Sequence, residues 1–170
     1  MTGPPFEPNV SPPPLLSVDL VDEPIDVPGL QVQMGHPDAG AVCWFLGVTR
    51  RTTGDKVTEL LSYDAHRSMA LSELRKLAEA AVGQFSLLGL TIVHRLGDVP
   101  VGEPSIVVGC CSPHRIASFQ AVAWVMDRVK QDIPIWKRET YRDGKREWIH
   151  PSLGDESKDC SGLHRRGDDE

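Results

Sequence analysis

The hydrophobic pattern is most informative in the segment SPHRIASFQAVAWVMDRVKQDIPIWK, which predicts a long helix followed by a strand. Ser112 is a favourable N-cap residue, and Pro113 suits the first helical position because an N–H there would be unpaired anyway. The pattern predicts a helix that begins at His114 and ends near Gln131 or Asp132, since a following proline cannot continue the hydrogen-bond ladder. At about 100° per residue, one half of this helix is apolar and is expected to face a core. That half carries Ile116, Phe119, Val122, Ala123, Val125, Met126 and Val129.

Two cations interrupt this apolar half. Lys130 projects from its middle near the C-terminal end, and Arg115 projects from it in the first turn. A buried lysine must be paired, reach water or lose its proton, so Lys130 is either a side chain that extends to solvent or a functional group. Lys137, which follows in a strand expected to be half-buried, favours the functional interpretation.

The start of the same helix is a candidate anion site. His114 and Arg115 lie where unpaired N–H groups and the helix dipole favour negative charge, although both could simply be exposed. Fifteen residues at about 1.5 Å each place Arg115 roughly 22 Å from Lys130, too far for one small-molecule site in a single chain. Either the chain has two sites, or a two-fold dimer brings the start of one helix near the end of its partner's helix.

The rest of the pattern predicts strands interrupted by a second helix. Strands are expected over residues 15–21, 40–48, 57–65, 90–96, 105–111, 135–141 and 146–149, a helix capped by Ser68 over 69–84, and a short helical or extended piece over 27–34. The basic segment 49–56 is predicted to join its two flanking strands as a hairpin. Strands in hairpins with two principal helices predict an α+β fold with a mainly antiparallel sheet.

Composition indicates one domain. The chain has 170 residues and a 40% hydrophobic share, enough to bury a sizeable core. The proline-rich residues 1–14 and the charged residues 151–170 are predicted to be disordered, which leaves residues 15–150 as the domain. A net charge of −6 disfavours nucleic acid as the main partner, and the sequence shows no membrane-spanning run and no signal peptide, which favours the cytoplasm.

The side chains that could support chemistry are mainly cationic, and the ligand is therefore expected to be anionic. They are Lys130, Lys137, Arg50, Arg51, His114 and Arg115. The sequence has no nucleophile elbow, phosphate-binding loop or dinucleotide motif, and its four cysteines lack metal-site spacing, so we expect neither a metal nor another cofactor. Asp64 and Glu139 could pair with the lysines, whereas His66 and His94 are expected to be structural.

Three of the cysteines fall in apolar strand segments. Cys43, Cys110 and Cys111 are expected to be buried, reduced thiols, since this is the usual state of such residues in a reducing compartment. The adjacent pair could also carry sulfur or redox chemistry, but nothing nearby in the sequence would activate it.

Several segments together resemble the large, catalytic subunit of molybdopterin synthase, the MoaE family. They are GAVCWFLGVTR, LLSYDAHRSMALSELRKL, HRLGDVPVGEPSIVVGCCSPHR and VKQDIPIWKRETY, and with weaker similarity before them they cover about residues 18 to 150. The resemblance implies an α/β-hammerhead type of α+β fold and a sulfurtransferase. The implied reaction converts cyclic pyranopterin monophosphate into molybdopterin with two sulfurs. The implied donor is a small ubiquitin-like subunit whose C-terminal Gly-Gly carries a thiocarboxylate.

The resemblance also implies roles for individual residues. Lys130 matches the lysine beside the donor's tail and would stabilise charge at the reacting carbon, and Lys137 matches a second essential lysine that transfers a proton or orients substrate. Binding positions of the substrate match Arg50, Phe45, Met126, His114 and Arg115. The last two would come from the neighbouring subunit, because the family assembles as a homodimer at the centre of a heterotetramer.

Two other interpretations remain open from the residues alone. One is a non-catalytic module that binds an anionic ligand or a ubiquitin-like tail, with Lys130 reaching solvent and the helix start holding phosphate. The other is an enzyme that forms a Schiff base between a lysine and a phosphorylated carbonyl compound. Both keep the cationic pocket and differ from the sulfurtransferase in the chemistry.

Overall fold

The computed structural model describes residues 12–149. The predicted arm over residues 1–14 lies almost wholly outside this range, and the predicted tail over 151–170 lies outside it entirely. Within the range the elements are β1 (Leu15–Val21), α1 (Val27–Gln33), β2 (Ala41–Val48), β3 (Thr52–Thr53), β4 (Lys56–Ala65), α2 (Arg67–Phe85), β5 (Gly89–Arg95), β6 (Gly97–Pro100), β7 (Pro104–Ser112), α3 (Arg115–Asp132), β8 (Ile135–Tyr141) and β9 (Arg146–Ile149). No helix among these is long and apolar enough to cross a membrane.

The strands form two sheets. In the first, with the order β1-β5-β7-β2, β1 runs parallel to β5 and the other pairs are antiparallel. In the second, with the order β3-β4-β8-β9, every pair is antiparallel, and β6 also pairs with β4. This mainly antiparallel arrangement with two long helices confirms the predicted α+β class.

The core lies where α2 and α3 pack against the first sheet. Every residue of the interior strand β5 is buried, including the polar Thr91, His94 and Arg95, so its sequence does not alternate between buried and exposed positions. The buried face of α2 consists of Ala70, Leu74, Leu77, Ala78 and Ala81, which recur at helical spacing. The cap of α2 differs from the prediction: it is His66, not Ser68, whose side chain accepts the Met69 N–H, at 3.4 Å.

The predicted hairpin between residues 40–48 and 57–65 is wrong. β2 pairs with β7 in the first sheet, whereas β4 pairs with β8 and β6 in the second, so the two strands separate instead of pairing. The hairpin at this place is smaller: Thr52 lies opposite Val57 and Thr53 opposite Lys56, around Gly54 with a φ of +58°. The basic segment 49–56 therefore bridges the two sheets.

The start of α3 also differs from the prediction. Ser112 remains in β7, and its hydroxyl donates to the His114 carbonyl at 2.8 Å and lies 2.6 Å from the Ser118 hydroxyl. His114 takes the N-cap position without a side-chain cap bond, and the helix begins at Arg115. The end is as predicted, since α3 stops at Asp132.

The buried face of α3 is narrower than predicted. The buried residues are Ser118, Ala121, Val122, Val125 and Val129, whereas Ile116 and Phe119 are 56% and 59% exposed and Ala123 is exposed. Small residues at 118 and 121 permit close approach to the sheet. Trp124 packs edge-on against Phe85 of α2, with ring centroids 5.8 Å apart. Hydrophobicity alone therefore did not separate the residues buried in the core from Ile116 and Phe119, which are exposed in a single chain.

Leu74 provides a test of the core. It is fully buried between α2 and the first sheet, so Leu74→Ala removes apolar contacts and leaves a cavity. We expect a loss of about 2–5 kcal/mol in the free energy of unfolding, measured by urea denaturation. Met69→Ala on the same helix is the matched control, because Met69 is 53% exposed and should change stability by less than about 1 kcal/mol. Equal effects of the two substitutions would contradict this placement of α2.

Candidate functional site

A pocket of about 550 Å³ opens between the two sheets beside the C-terminal end of α3. Five of the seven predicted site residues line it, from four separate parts of the chain: Phe45 on β2, Arg50 after it, Met126 and Lys130 on α3, and Lys137 on β8. The structure therefore brings together cations that lie up to 87 positions apart in sequence, from 50 to 137.

The two lysines reach the pocket in different ways. Lys130 is exposed in the last turn of α3, where the helix dipole favours a cation, so the prediction that it sits on a buried face is wrong. Lys137 is half-buried in the middle of β8, as predicted, and lies directly opposite Tyr63 of β4. Residues opposite each other in adjacent strands project to the same face, so Lys137 and Tyr63 share the pocket face of the second sheet.

A buried carboxylate accompanies the lysines. Glu139 is 2% exposed, lines the pocket two positions after Lys137, and accepts hydrogen bonds from the hydroxyls of Thr53, at 2.8 Å, and Thr58. Glu139 therefore shares the pocket with both lysines, and its pairing with them stays a prediction. Asp64, the other predicted candidate, is exposed, accepts the Ala65 N–H at 2.8 Å and does not line the pocket.

Sequence reasoning missed a group of neutral polar residues in the pocket wall. Tyr63, His94 and Ser105 all line it, and the rings of Tyr63 and His94 meet edge-on with centroids 4.9 Å apart. Tyr63 belongs to the second sheet and His94 to the first, so this contact joins the two sheets. No local motif marks these residues, because their proximity depends on which strands pair.

His94 is neutral and its tautomer is defined. Its Nδ1 lies 2.8 Å from the Arg95 carbonyl, which can only accept, so Nδ1 carries the proton and Nε2 keeps a lone pair. Burial lowers the pKa of His94 from 6.5 to about 4, partly offset by this hydrogen bond. Burial likewise raises the pKa of Tyr63, against a smaller opposing effect of a hydrogen bond with Ser105. Both side chains are therefore uncharged at neutral pH.

The remaining two predicted residues lie at the other end of α3. His114 and Arg115 are exposed and are not part of the pocket lining. Because α3 runs from Arg115 to Asp132, the helix separates them from Lys130 by roughly 22 Å, as the sequence indicated. A single chain does not unite the two groups.

Large apolar side chains are also exposed on α3 and on β2. Ile116 and Phe119 of α3 are exposed, and β2, at one edge of the first sheet, exposes Val42, Leu46 and Val48 by 51%, 39% and 48%. Exposed apolar side chains of this size are typical of surfaces that another protein covers.

The cysteines are placed as buried or partly buried free thiols. Cys110 and Cys111 are buried as predicted, and Cys43 is intermediate and lies opposite Cys110 across the β2–β7 pair. Burial raises the pKa of Cys110 to about 11, which disfavours the reactive thiolate.

Comparisons with known proteins agree on one family. A profile described as MoaE protein matches residues 20–132. The molybdopterin synthase catalytic subunit of Aspergillus niger is 42% identical over 131 residues, which cover 77% of this chain and 73% of that protein. The corresponding protein of Culex quinquefasciatus is 37% identical over 145 residues, which cover 84% and 88%.

Solved structures share the fold. The crystal structure of molybdopterin synthase from Staphylococcus aureus superposes with a TM-score of 0.72 at 29% identity, covering 76% of this chain and 94% of that chain. A chain from a complex of subunits 1 and 2 of molybdopterin-converting factor from Helicobacter pylori has a TM-score of 0.64 at 23% identity, covering 78% and 89%, and supports the fold alone.

The neutral state of His94 gives the protein a characteristic pH dependence. Because the folded pKa lies below the ordinary value, the unfolded chain takes up this proton first, so stability present above pH 6.5 is lost as pH falls towards 4. We expect this group to contribute a loss of about 3 kcal/mol across that window, measured by urea unfolding at several pH values. His94→Gln should have a correspondingly flatter pH profile, whatever its absolute stability. Identical slopes for the two proteins would contradict burial of a neutral imidazole.

Proposed function

The chain belongs to the MoaE protein family, and from this premise we propose how its pocket works as the catalytic site of molybdopterin synthase. The protein is the large subunit of that enzyme in molybdenum cofactor biosynthesis. It transfers two sulfurs from the C-terminal thiocarboxylate of a small ubiquitin-like subunit to cyclic pyranopterin monophosphate. The observation that carries the proposal is the convergence of Arg50, Lys130 and Lys137 on one pocket.

The cationic groups match the charges of this reaction. The thiocarboxylate and the phosphate are anions, and the pocket presents a guanidinium and two ammonium groups to them. Arg50 and the apolar side chains of Phe45 and Met126 bind substrate in this proposal. The exposed position of Lys130 at the pocket leaves its ammonium accessible to an entering peptide tail.

Each transfer then proceeds in two steps. The thiocarboxylate sulfur bonds to a substrate carbon and the carbon–oxygen bond there breaks, with a proton from Lys137 for the departing oxygen, which leaves as water from a hydroxyl or stays on the phosphate where the cyclic ester opens. A thioester then joins substrate to tail. Water adds to the thioester carbonyl, and Lys130 stabilises the oxyanion of the tetrahedral centre. Collapse breaks the carbon–sulfur bond on the tail side, leaving sulfur on the substrate and a carboxylate on the tail.

The complete site requires a second copy of the chain. His114 and Arg115 lie at the far end of α3, and the apolar side chains exposed on α3 and on β2 provide area for two-fold association. Such a dimer would place the helix start of one subunit by the pocket of the other, where it binds an anionic part of the substrate. The assembly would carry one small subunit at each end, act in the cytoplasm, and use residues 15–150 as the catalytic domain.

Substitution of the lysines tests the chemistry. We expect Lys130→Ala and Lys137→Ala each to reduce sulfur transfer by at least about 10²-fold, since each removes charge stabilisation or proton transfer in the transition state. The measurement is mass spectrometry of the pterin product after mixing with thiocarboxylated small subunit and cyclic pyranopterin monophosphate. Lys76→Ala is the matched control, because this exposed lysine pairs with Glu73 on α2. Near-normal transfer by Lys130→Ala would rule out the assigned role.

Complementation tests the shared site. Lys130→Ala and Arg115→Ala chains should each be inactive alone, but a hybrid dimer contains one site with both groups intact. After unfolding and refolding of an equal mixture, we expect roughly a quarter of wild-type activity, because half the dimers are hybrids with one working site of two. If light scattering shows dimers but the mixture remains inactive, Lys130 and Arg115 do not combine across the two subunits and the shared site is wrong.

A further inference from the structure

The pocket has a neutral polar wall opposite its cations, and this wall has no part in the charge chemistry described above. Tyr63, His94 and Ser105 form it. Arg50, Lys130 and Lys137 can only donate hydrogen bonds, so they cannot pair with N–H groups of a ligand. Acceptors must come from elsewhere in the pocket.

The acceptors available in this wall are specific. Nδ1 of His94 is held by the Arg95 carbonyl, so Nε2 presents a lone pair. The Ser105 hydroxyl donates to the Gly47 carbonyl at 3.2 Å, so its oxygen acts only as an acceptor, and one of its two lone pairs is used by the hydrogen bond with Tyr63. The Glu139 carboxylate also lines the pocket, and both threonine hydroxyls donate to its Oε1.

The wall is also rigid. His94 is 5% exposed, and its ring packs edge-on against Tyr63, which itself is held opposite Lys137 by the pairing of β4 with β8. A neutral acceptor held in a fixed position in a pocket wall can pair with an N–H donor that a ligand brings.

We propose that Tyr63, His94 and Ser105 bind the N–H edge of the substrate's pterin ring, while Arg50 and the lysines hold its anionic part and the thiocarboxylate. The inference rests on the proposed function, because it takes the pterin as substrate. A pterin carries an amino group and a ring N–H beside a carbonyl, and this edge needs acceptors that the cationic side of the pocket lacks. The neutral wall would thus select the heterocycle and orient its reacting carbons towards Lys130 and Lys137.

The test compares affinities of the full chain for two probes by anaerobic calorimetry. Tyr63→Phe keeps the ring contact with His94 and removes only the hydroxyl, and we expect a roughly 3–10-fold weaker affinity for cyclic pyranopterin monophosphate. Affinity for inorganic pyrophosphate, which has no N–H edge, should stay within about twofold. Tyr141→Phe is the matched control, since the Tyr141 hydroxyl donates to Glu147 outside the pocket.

Substitutions of His94 separate recognition from packing. His94→Asn keeps a donor for the Arg95 carbonyl but removes the Nε2 acceptor, so we expect a weaker affinity for the pterin. His94→Gln can place an amide oxygen near the position of Nε2, so we expect a pterin affinity between those of His94→Asn and the wild type. Unchanged pterin affinity in both Tyr63→Phe and His94→Asn would overturn the proposal. So would an equal loss for pyrophosphate, or a loss confined to the small subunit's affinity. Sulfur transfer by the wild-type chain, measured separately, tests the proposed function itself.

Discussion

The buried carboxylate of Glu139 is the interaction on which the geometry of the pocket depends. A carboxylate that is 2% exposed must be hydrogen-bonded, and its two hydroxyl donors come from Thr53 of β3 and Thr58 of β4. These bonds attach the basic segment 49–56 to β8. Since Arg50 belongs to that segment and Lys137 to β8, satisfying one buried charge also brings the two cations to the same pocket.

The second organising feature is α3, because its two ends carry predicted site residues that lie far apart in one chain. Its C-terminal turn brings Lys130 to the pocket of its own chain, and its N-terminal turn carries His114 and Arg115 away from it. A rigid helix cannot shorten this separation, so His114 and Arg115 can share one site with Lys130 only where another chain supplies one of the two ends. The apolar side chains exposed along α3 and β2 are consistent with that arrangement, because their burial would stabilise the association.

The sequence predicts the positions of helices and strands better than it predicts which strands pair with each other. Local signals place β1 and β8 with the observed bounds and the end of α3 at Asp132, because periodicity and proline act within a few residues. Strand pairing is not local, so the predicted hairpin was wrong and the Tyr63–His94 contact between the sheets was missed. The same limitation affected α3, where hydrophobicity alone could not distinguish Val125, buried in the chain's own core, from Phe119 on its surface.

The cationic residues of the pocket could be predicted from the sequence, whereas the neutral residues Tyr63 and His94 could not, and the difference has a physical reason. A lysine in an apolar pattern stands out, because burying its charge without compensation is costly, and the resemblance then gave Lys130 and Lys137 their roles. A tyrosine or histidine in a strand fits an ordinary core, so Tyr63 and His94 carried no such signal. Their significance follows from position: they meet at the junction of two sheets, in the wall of a pocket whose cations can donate but never accept. In our proposal the neutral groups therefore recognise the heterocycle, and the cations hold the anionic groups and stabilise the transition state.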